Sequence, residues 1–381
     1  MTVQATPYAD LTQYELVALE SSHNLADAHA HQWQSESERA VVEMLPNLWD
    51  ESQTLSQAEA DHQFLQAFFD FHGQPSRVAS AGRSLLSYAA SIAMGIVATH
   101  LRLRRMSVTL IEPCFDNLHE LLAQNELQVK ALPEAVVFET PNVFEALTAH
   151  DVGDALILVD PNNPTGSTSF TDDADRFREI VRFCALNGKT LIMDFSFASF
   201  LRGRRPDVYE ILESSGVTYL TIEDTGKTWP TIDIKCGILS TSADIWAEVR
   251  DIHTGVLLNV SPFALRLLTG FIAASKSDGF TSVASVLDTN RQVLVNAIRG
   301  TDLEHLAPEA LVSVAWLKVR RGTATEMQER LAGHGVHVLP GTHFFWSDHT
   351  QGESYLRLAL ARDPAAFARS ASALRTVLTT S

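Results

Sequence analysis

Apolar residues fall along this chain in two alternating periods. Short unbroken apolar runs, Val108–Ile111, Ala155–Val159, Thr190–Met193, Val217–Ile222 and Cys236–Leu239, are flanked by Gly, Pro, Asn or Asp. Runs of that length predict strands buried on both faces. Between them the spacing changes to threes and fours. A helix is predicted to begin at Thr171-Asp172-Asp173, to run through Phe177, Ile180, Val181 and Cys184, and to close at Asn187-Gly188. A longer helical pattern from Glu36 to Phe71 breaks at Pro46, carries Phe64, Leu65, Phe68 and Phe69, and ends at Gly73 and Pro75. Residues Ser76 to Ser87 contain Gly and Ser, and Tyr88 then opens a helix of small residues. Strands alternating with helices imply an α/β fold with a mainly parallel sheet and right-handed crossovers.

The pattern changes after about residue 255. Helices are predicted at Pro262–Ala274, Val283–Ile298, Thr323–Leu331 and Pro364–Leu378, with strands at Leu311–Val319 and Ser354–Leu360. This reads as a smaller α+β lobe. The expected division is an N-terminal segment of residues 1–45, a large domain of residues 46–258 and a small domain of residues 259–381. In the N-terminal segment, Thr12 precedes a short helical pattern through Leu16, Val17 and Leu19, and Glu15 stands three residues on, as in a capping box.

Ligands of such sheets bind beyond the carboxyl ends of the strands. Four chemically distinctive residues follow strands at that edge: Phe115, Asn163, Asp194 and Lys227. Lys227 sits on a tight turn, Thr225-Gly226, after a β-branched run, where an amine can meet a carbonyl and form a Schiff base. Near Ser91, a helix start built of small residues lets backbone N–H groups approach a phosphate. The pair His29-Ala30-His31 would put two imidazoles on one side of a strand, but it lacks a third ligand, so no metal is expected. The formal net charge of −17 argues against nucleic acid or an anionic membrane as partner. Hydrophobic content of 45% with 20% charged residues is that of a soluble globular protein. The three cysteines show no paired spacing, no apolar run reaches membrane-spanning length, and no signal-peptide layout is present, which together predict a cytoplasmic protein.

From about residue 40 onward the ordered motifs Asn163-Pro-Thr-Gly166, Asp194, Thr225-Gly-Lys227, Lys235 with Gly237, and Arg357 within Tyr-Leu-Arg-Leu-Ala-Leu resemble the fold type I pyridoxal-phosphate (PLP) enzymes of the aspartate aminotransferase superfamily. The resemblance implies a seven-stranded, mainly parallel sheet in a large PLP-binding domain, a smaller C-terminal domain, and a homodimer. It assigns Lys227 to the Schiff base and the α-proton, Asp194 to the pyridine nitrogen, and Asn163 to the ring oxygen and the substrate carboxylate. Phe115 would stack on the ring. Ser91, Thr225 and Lys235 would hold the phosphate, with Ser196 beside Asp194, and Arg357 would take the substrate carboxylate. Three positions depart from aminotransferases: Phe197 replaces a tyrosine, Lys235 an arginine and Asp233 a glycine.

Those departures, with Leu11-Thr-Gln-Tyr-Glu15, Asn24-Leu-Ala-Asp-Ala-His29 and Glu223-Asp-Thr-Gly-Lys-Thr-Trp-Pro230, resemble the PLP- and O2-dependent L-arginine oxidases and γ-hydroxylases of natural-product pathways. By that resemblance Glu15 and Asp224 bind the guanidinium, and the N-terminal segment covers the site. His29 assists the oxygen chemistry, and Thr12 and Asp27 order the cover. The alternatives are an aminotransferase acting on arginine, a capreomycidine-type cyclase acting on hydroxyarginine, and a catalytically idle PLP-binding protein.

Overall fold

The computed structural model describes residues 8–171, 174–201 and 203–380. Its central sheet has seven strands in the order Ser84–Ser87, Gly237–Thr241, Tyr219–Asp224, Thr190–Asp194, Ala155–Val159, Val108–Glu112 and Val129–Pro133. All run in one direction except Gly237–Thr241, which is antiparallel to both neighbours. The mainly parallel sheet expected from the sequence is therefore present. Strands Val108–Glu112, Ala155–Val159 and Tyr219–Asp224 are buried along their whole length, as their unbroken apolar runs require. Ser84–Ser87 and Val129–Pro133 went unread in the sequence, and both are edge strands that are partly exposed. An edge strand needs no continuous apolar run, so its signal is weak.

Helices cover the sheet. Helix Asp175–Leu186 buries Phe177, Ile180, Val181 and Cys184, and its expected start at Thr171–Asp173 lies partly outside the described residues. The pattern from Glu36 to Phe71 resolves into three helices, Glu36–Glu43, Leu45–Ser52 and Gln57–Phe71. Pro46 lies in the first turn of the second, where its missing N–H costs nothing. Helix Pro262–Ser277 packs along helix Gln57–Phe71.

A second, antiparallel sheet has the order Leu339–Pro340, Tyr355–Ala359, Val314–Val319, Leu303–His305. The strand expected from Leu311 begins at Val314. Arg357 lies mid-strand, opposite Trp316 on one side and Leu339 on the other, and is fully buried.

The N-terminal segment is built onto both sheets. Helix Leu11–Ala18 is capped by Asp10, whose carboxylate accepts the Gln13 N–H at 2.8 Å. The capping box expected at Thr12 and Glu15 is not formed, because Asp10 takes the cap two residues earlier, and both residues turn to the cavity described below. Leu11, Tyr14 and Ala18 pack with Ala26, Trp316, Leu339 and Phe344 in an apolar cluster separate from the main core. Farther on, His23–Asn24 pairs in parallel with Val336–His337. Residues 30–34 then lie along the lysine turn. Ala30 N–H donates to Gly226 O at 3.2 Å, and the Gln32 and Gln34 amides donate to Thr228 O and Pro230 O.

Candidate active site

At the carboxyl edge of the large sheet a cavity of about 260 Å³ opens beneath the N-terminal helix. Phe115, Asn163, Asp194, Ser196, Asp224, Lys227 and Lys235 line it from the strand ends and the turns that follow them. Ser91 reaches it from the start of helix Ala90–Leu103, Thr12, Glu15 and His29 from the N-terminal segment, and Arg357 from the small sheet. Residues more than three hundred positions apart thus meet in one place. Thr225 is the expected site residue that does not line the cavity. It is fully buried, and its hydroxyl accepts the Cys236 N–H at 2.8 Å, bracing the turn that presents Lys227.

Two glycines make this approach possible. A Cβ at Gly237 would stand 2.6 Å from the Ala89 backbone, so this strand and the start of helix Ala90–Leu103 close only without a side chain. A Cβ at Gly226 would meet Lys235 Cδ at 2.9 Å and His29 Cδ2 at 3.2 Å.

His29 is held from behind. Its Nδ1 lies 2.7 Å from Asp27 Oδ1, and its Nε2 faces the amines of Lys235 at 3.0 Å and Lys227 at 3.3 Å. Asp27 also meets His31 Nε2 through its other oxygen. His29 and His31 thus share a carboxylate off any strand, in place of the one-sided strand pair expected from their spacing. Burial alone would raise the Asp27 carboxyl, but the bonds to the two histidines overcome it and hold the group well below the usual carboxylate range. Arg362, just beyond the small-sheet strand Tyr355–Ala359, brackets this segment by donating to the carbonyls of Asn24, Asp27 and His29. Sequence reading missed Arg362, since an arginine that binds carbonyls follows no motif.

Arg357 donates through Nη2 to Glu15 Oε1 at 3.0 Å and to Ala26 O, while its Nε and Nη1 are buried without partners. Such a cation presents two donors to an incoming carboxylate. The Asp194 carboxyl is raised by burial, which outweighs the bonds that Ser196 N–H and Oγ give to Oδ1. A cationic ring nitrogen set against it would stabilise the charged form. Asn163 Oδ1 is likewise buried without a partner. Helix Ala90–Leu103 has no side-chain cap, so its first N–H groups remain available at the cavity wall beside Ser91 and Lys235.

These features fit pyridoxal phosphate. Lys227 would carry its aldehyde carbon and Asp194 its ring nitrogen. Phe115 would lie on its face, and the helix start with Ser91 and Lys235 would hold its phosphate. Phe197 also lines the cavity, so no phenol stands at that position.

The family "Aminotransferase class I and II" matches residues 54–374. The structure of MppP soaked with the product 2-ketoarginine superposes with a TM-score of 0.86 and 32% identity, covering 93% of this chain and 99% of that one. Aspartate aminotransferase from Thermus thermophilus, with maleate, gives a TM-score of 0.77 at 14% identity, over 99% of this chain and 98% of its own. LysN, an α-aminoadipate aminotransferase also from Thermus thermophilus, gives 0.75 at 17% identity, over 99% and 95%. At these last identities the likeness establishes the fold alone. A search of curated proteins found no match. The extent of the family match, with a lysine, an aspartate and a free helix start converging on one cavity, shows that this chain belongs to the aminotransferase class I and II family, whose members are fold type I enzymes that bind pyridoxal 5′-phosphate.

Proposed function

We propose that this protein is an oxidase of L-arginine that uses PLP and O2, forming 2-oxo-arginine, its 4-hydroxy derivative, or both. For 2-oxo-arginine the amino group leaves as ammonia, one water supplies the carbonyl oxygen, and one electron pair passes to one O2 to give one hydrogen peroxide. The 4-hydroxy derivative takes a second water for its hydroxyl and a second electron pair to a second O2, giving two hydrogen peroxides. The observation that carries the reading is the pair of carboxylates, Glu15 and Asp224, in the same small cavity as Arg357. One amino acid with a carboxylate at one end and a guanidinium at the other answers both charges, taking the place of the 3.0 Å pairing between Glu15 and Arg357. The relative soaked with its product 2-ketoarginine supports the same substrate class.

When bound, PLP supplies an electron sink for the carbanion formed at Cα. The chain's own groups do the rest. Lys227 Nζ would remove the α-proton, and Asp194 would keep the ring nitrogen protonated. Arg357 and Asn163 orient the carboxylate. Glu15, helped by Thr12, and Asp224 fix the far end of the substrate. His29, backed by Asp27, stands on the side of the cavity closed by the N-terminal segment, where it moves protons for the oxygen step. The segment excludes bulk water from that step.

The second reading is amino transfer from arginine, favoured by the family to which the chain belongs. Mass analysis of the product formed from L-arginine under air distinguishes them. An oxidase yields the oxo acid with no acceptor present, whereas a transferase yields it only with an added 2-oxo acid. Lys227→Ala abolishes either reaction.

Members of this family are typically homodimers acting on amino acids. Among the described residues no helix is long and apolar enough to cross a membrane.

A further inference from the structure

We propose that Asp116 is a positioning residue that clasps helix Leu11–Ala18 shut over the cavity, and that the clasp holds best when its carboxyl carries a proton. Asp116 sits between Phe115 and Asn117, both of which line the cavity, and is itself buried. Its Oδ2 accepts the N–H of Leu11, the first residue of the helix, at 2.8 Å. Elsewhere the helix rests on the small sheet, through the cluster around Trp316 and Phe344 and through the Glu15–Arg357 pair. From the large sheet, the loop after Val108–Glu112 packs Phe115 against that cluster and, through Asp116, gives the helix its hydrogen bond. Thr12 and Glu15 lie within about one turn of Leu11, so fixing Leu11 fixes both over the cavity.

The surroundings disfavour a charge on Asp116. Its Oδ1 is buried with no hydrogen-bond partner. Asp10 stands beside it on the clasped segment and Glu120 on its own helix. His343 packs against Tyr14 across the same helix, with His349 behind it. Arg357, the cation within range, is already paired with Glu15. Two helix starts favour the anion, through Leu11 N–H and Asn117 N–H, but burial outweighs them and the acidic neighbours add to it, so the carboxyl is pushed up to about 7.

The sign follows from linkage. Lifting the helix returns water to Asp116 and brings its carboxyl back toward about 3.9. The closed form thus binds the proton more tightly. Its advantage is full below that open-state value and is lost as pH rises through about 7.

The consequence for turnover rests on the arginine reading above, but the clasp does not, so the test uses amide hydrogen exchange. Exchange of residues 11–18 is followed in PLP-loaded protein at about pH 6 and about pH 8.5, corrected for the intrinsic pH dependence of exchange. Protection of the parent should fall by about tenfold or more between these values. Asp116→Asn keeps an acceptor that cannot ionise, and its protection should stay flat. Asp116→Ala should lose protection at both values and raise KM for arginine more than it lowers kcat. Equal pH dependence in parent and Asp116→Asn would overturn the proposal, as would full protection in Asp116→Ala. A parent that exchanges as expected but leaves arginine untouched upholds the clasp and removes the arginine reading.

Discussion

His29 Nε2 lies 3.3 Å from Lys227 Nζ, and the opposite ring nitrogen, Nδ1, lies 2.7 Å from Asp27. The Asp27 carboxylate can only accept, so the network assigns a proton to Nδ1 and turns Nε2 to the cavity. Asp27 then fixes both the ring's orientation and its tautomer. Asp27→Asn is expected to retain bound PLP, read from its visible absorbance, and to lower kcat on arginine by about 100-fold. Because the Asp27 carboxyl lies well below the usual range, its contribution to docking the segment is present above about pH 4 and fades only as pH falls below that.

The loop that presents Asn163 hangs on a different acid. Asp160 is buried and accepts Ser169 N–H at 3.1 Å together with the Ser169 and Thr168 hydroxyls. Burial outweighs these bonds and raises its carboxyl to about 6. The raised value means that its stabilising effect is full below about pH 4 and is lost as pH rises through about 6. Thermal unfolding from about pH 4 to about pH 7.5 should show that slope in the parent, and Asp160→Asn should flatten it.

Removal of residues 1–34 separates two functions. Lys227, Asp194, Asn163 and the start of helix Ala90–Leu103 all lie outside the deleted segment, so PLP should still bind. Glu15, His29 and the cover over the cavity disappear, so oxygen consumption with arginine should fall by about 100-fold or more. Oxygen uptake preserved at the parent's rate would remove the segment from the mechanism.

Arg357→Lys should raise KM for arginine by about 10- to 100-fold with a smaller change in kcat. An ammonium cannot reproduce a buried fork that engages Glu15 while presenting Nε and Nη1 to a carboxylate. Steady-state kinetics with L-arginine check this.

Much of this site could be read from the sequence because its residues follow buried strands. Asn163, Asp194 and Lys227 each come after an apolar run whose length and flanks mark a strand end, and a parallel sheet brings strand ends together. Arg357 was legible only through its motif, since nothing local in Tyr355–Ala359 shows that this strand brings its arginine to the cavity. The N-terminal segment was least legible. Thr12 and Glu15 have the spacing of a capping box, but Asp10 takes the cap, and the tertiary bond from Leu11 N–H to Asp116 has no local signal. Arg362 and Thr225 act on backbone and on a turn, where chemistry leaves no spacing to recognise.

The most direct measurement is an oxygen-electrode trace after L-arginine is added to the PLP-loaded protein without any oxo acid. The arginine-oxidase account predicts immediate uptake, with hydrogen peroxide and ammonia formed and part of the oxygen returned by catalase. A flat trace, followed by turnover once pyruvate or 2-oxoglutarate is added, would contradict it and establish an aminotransferase.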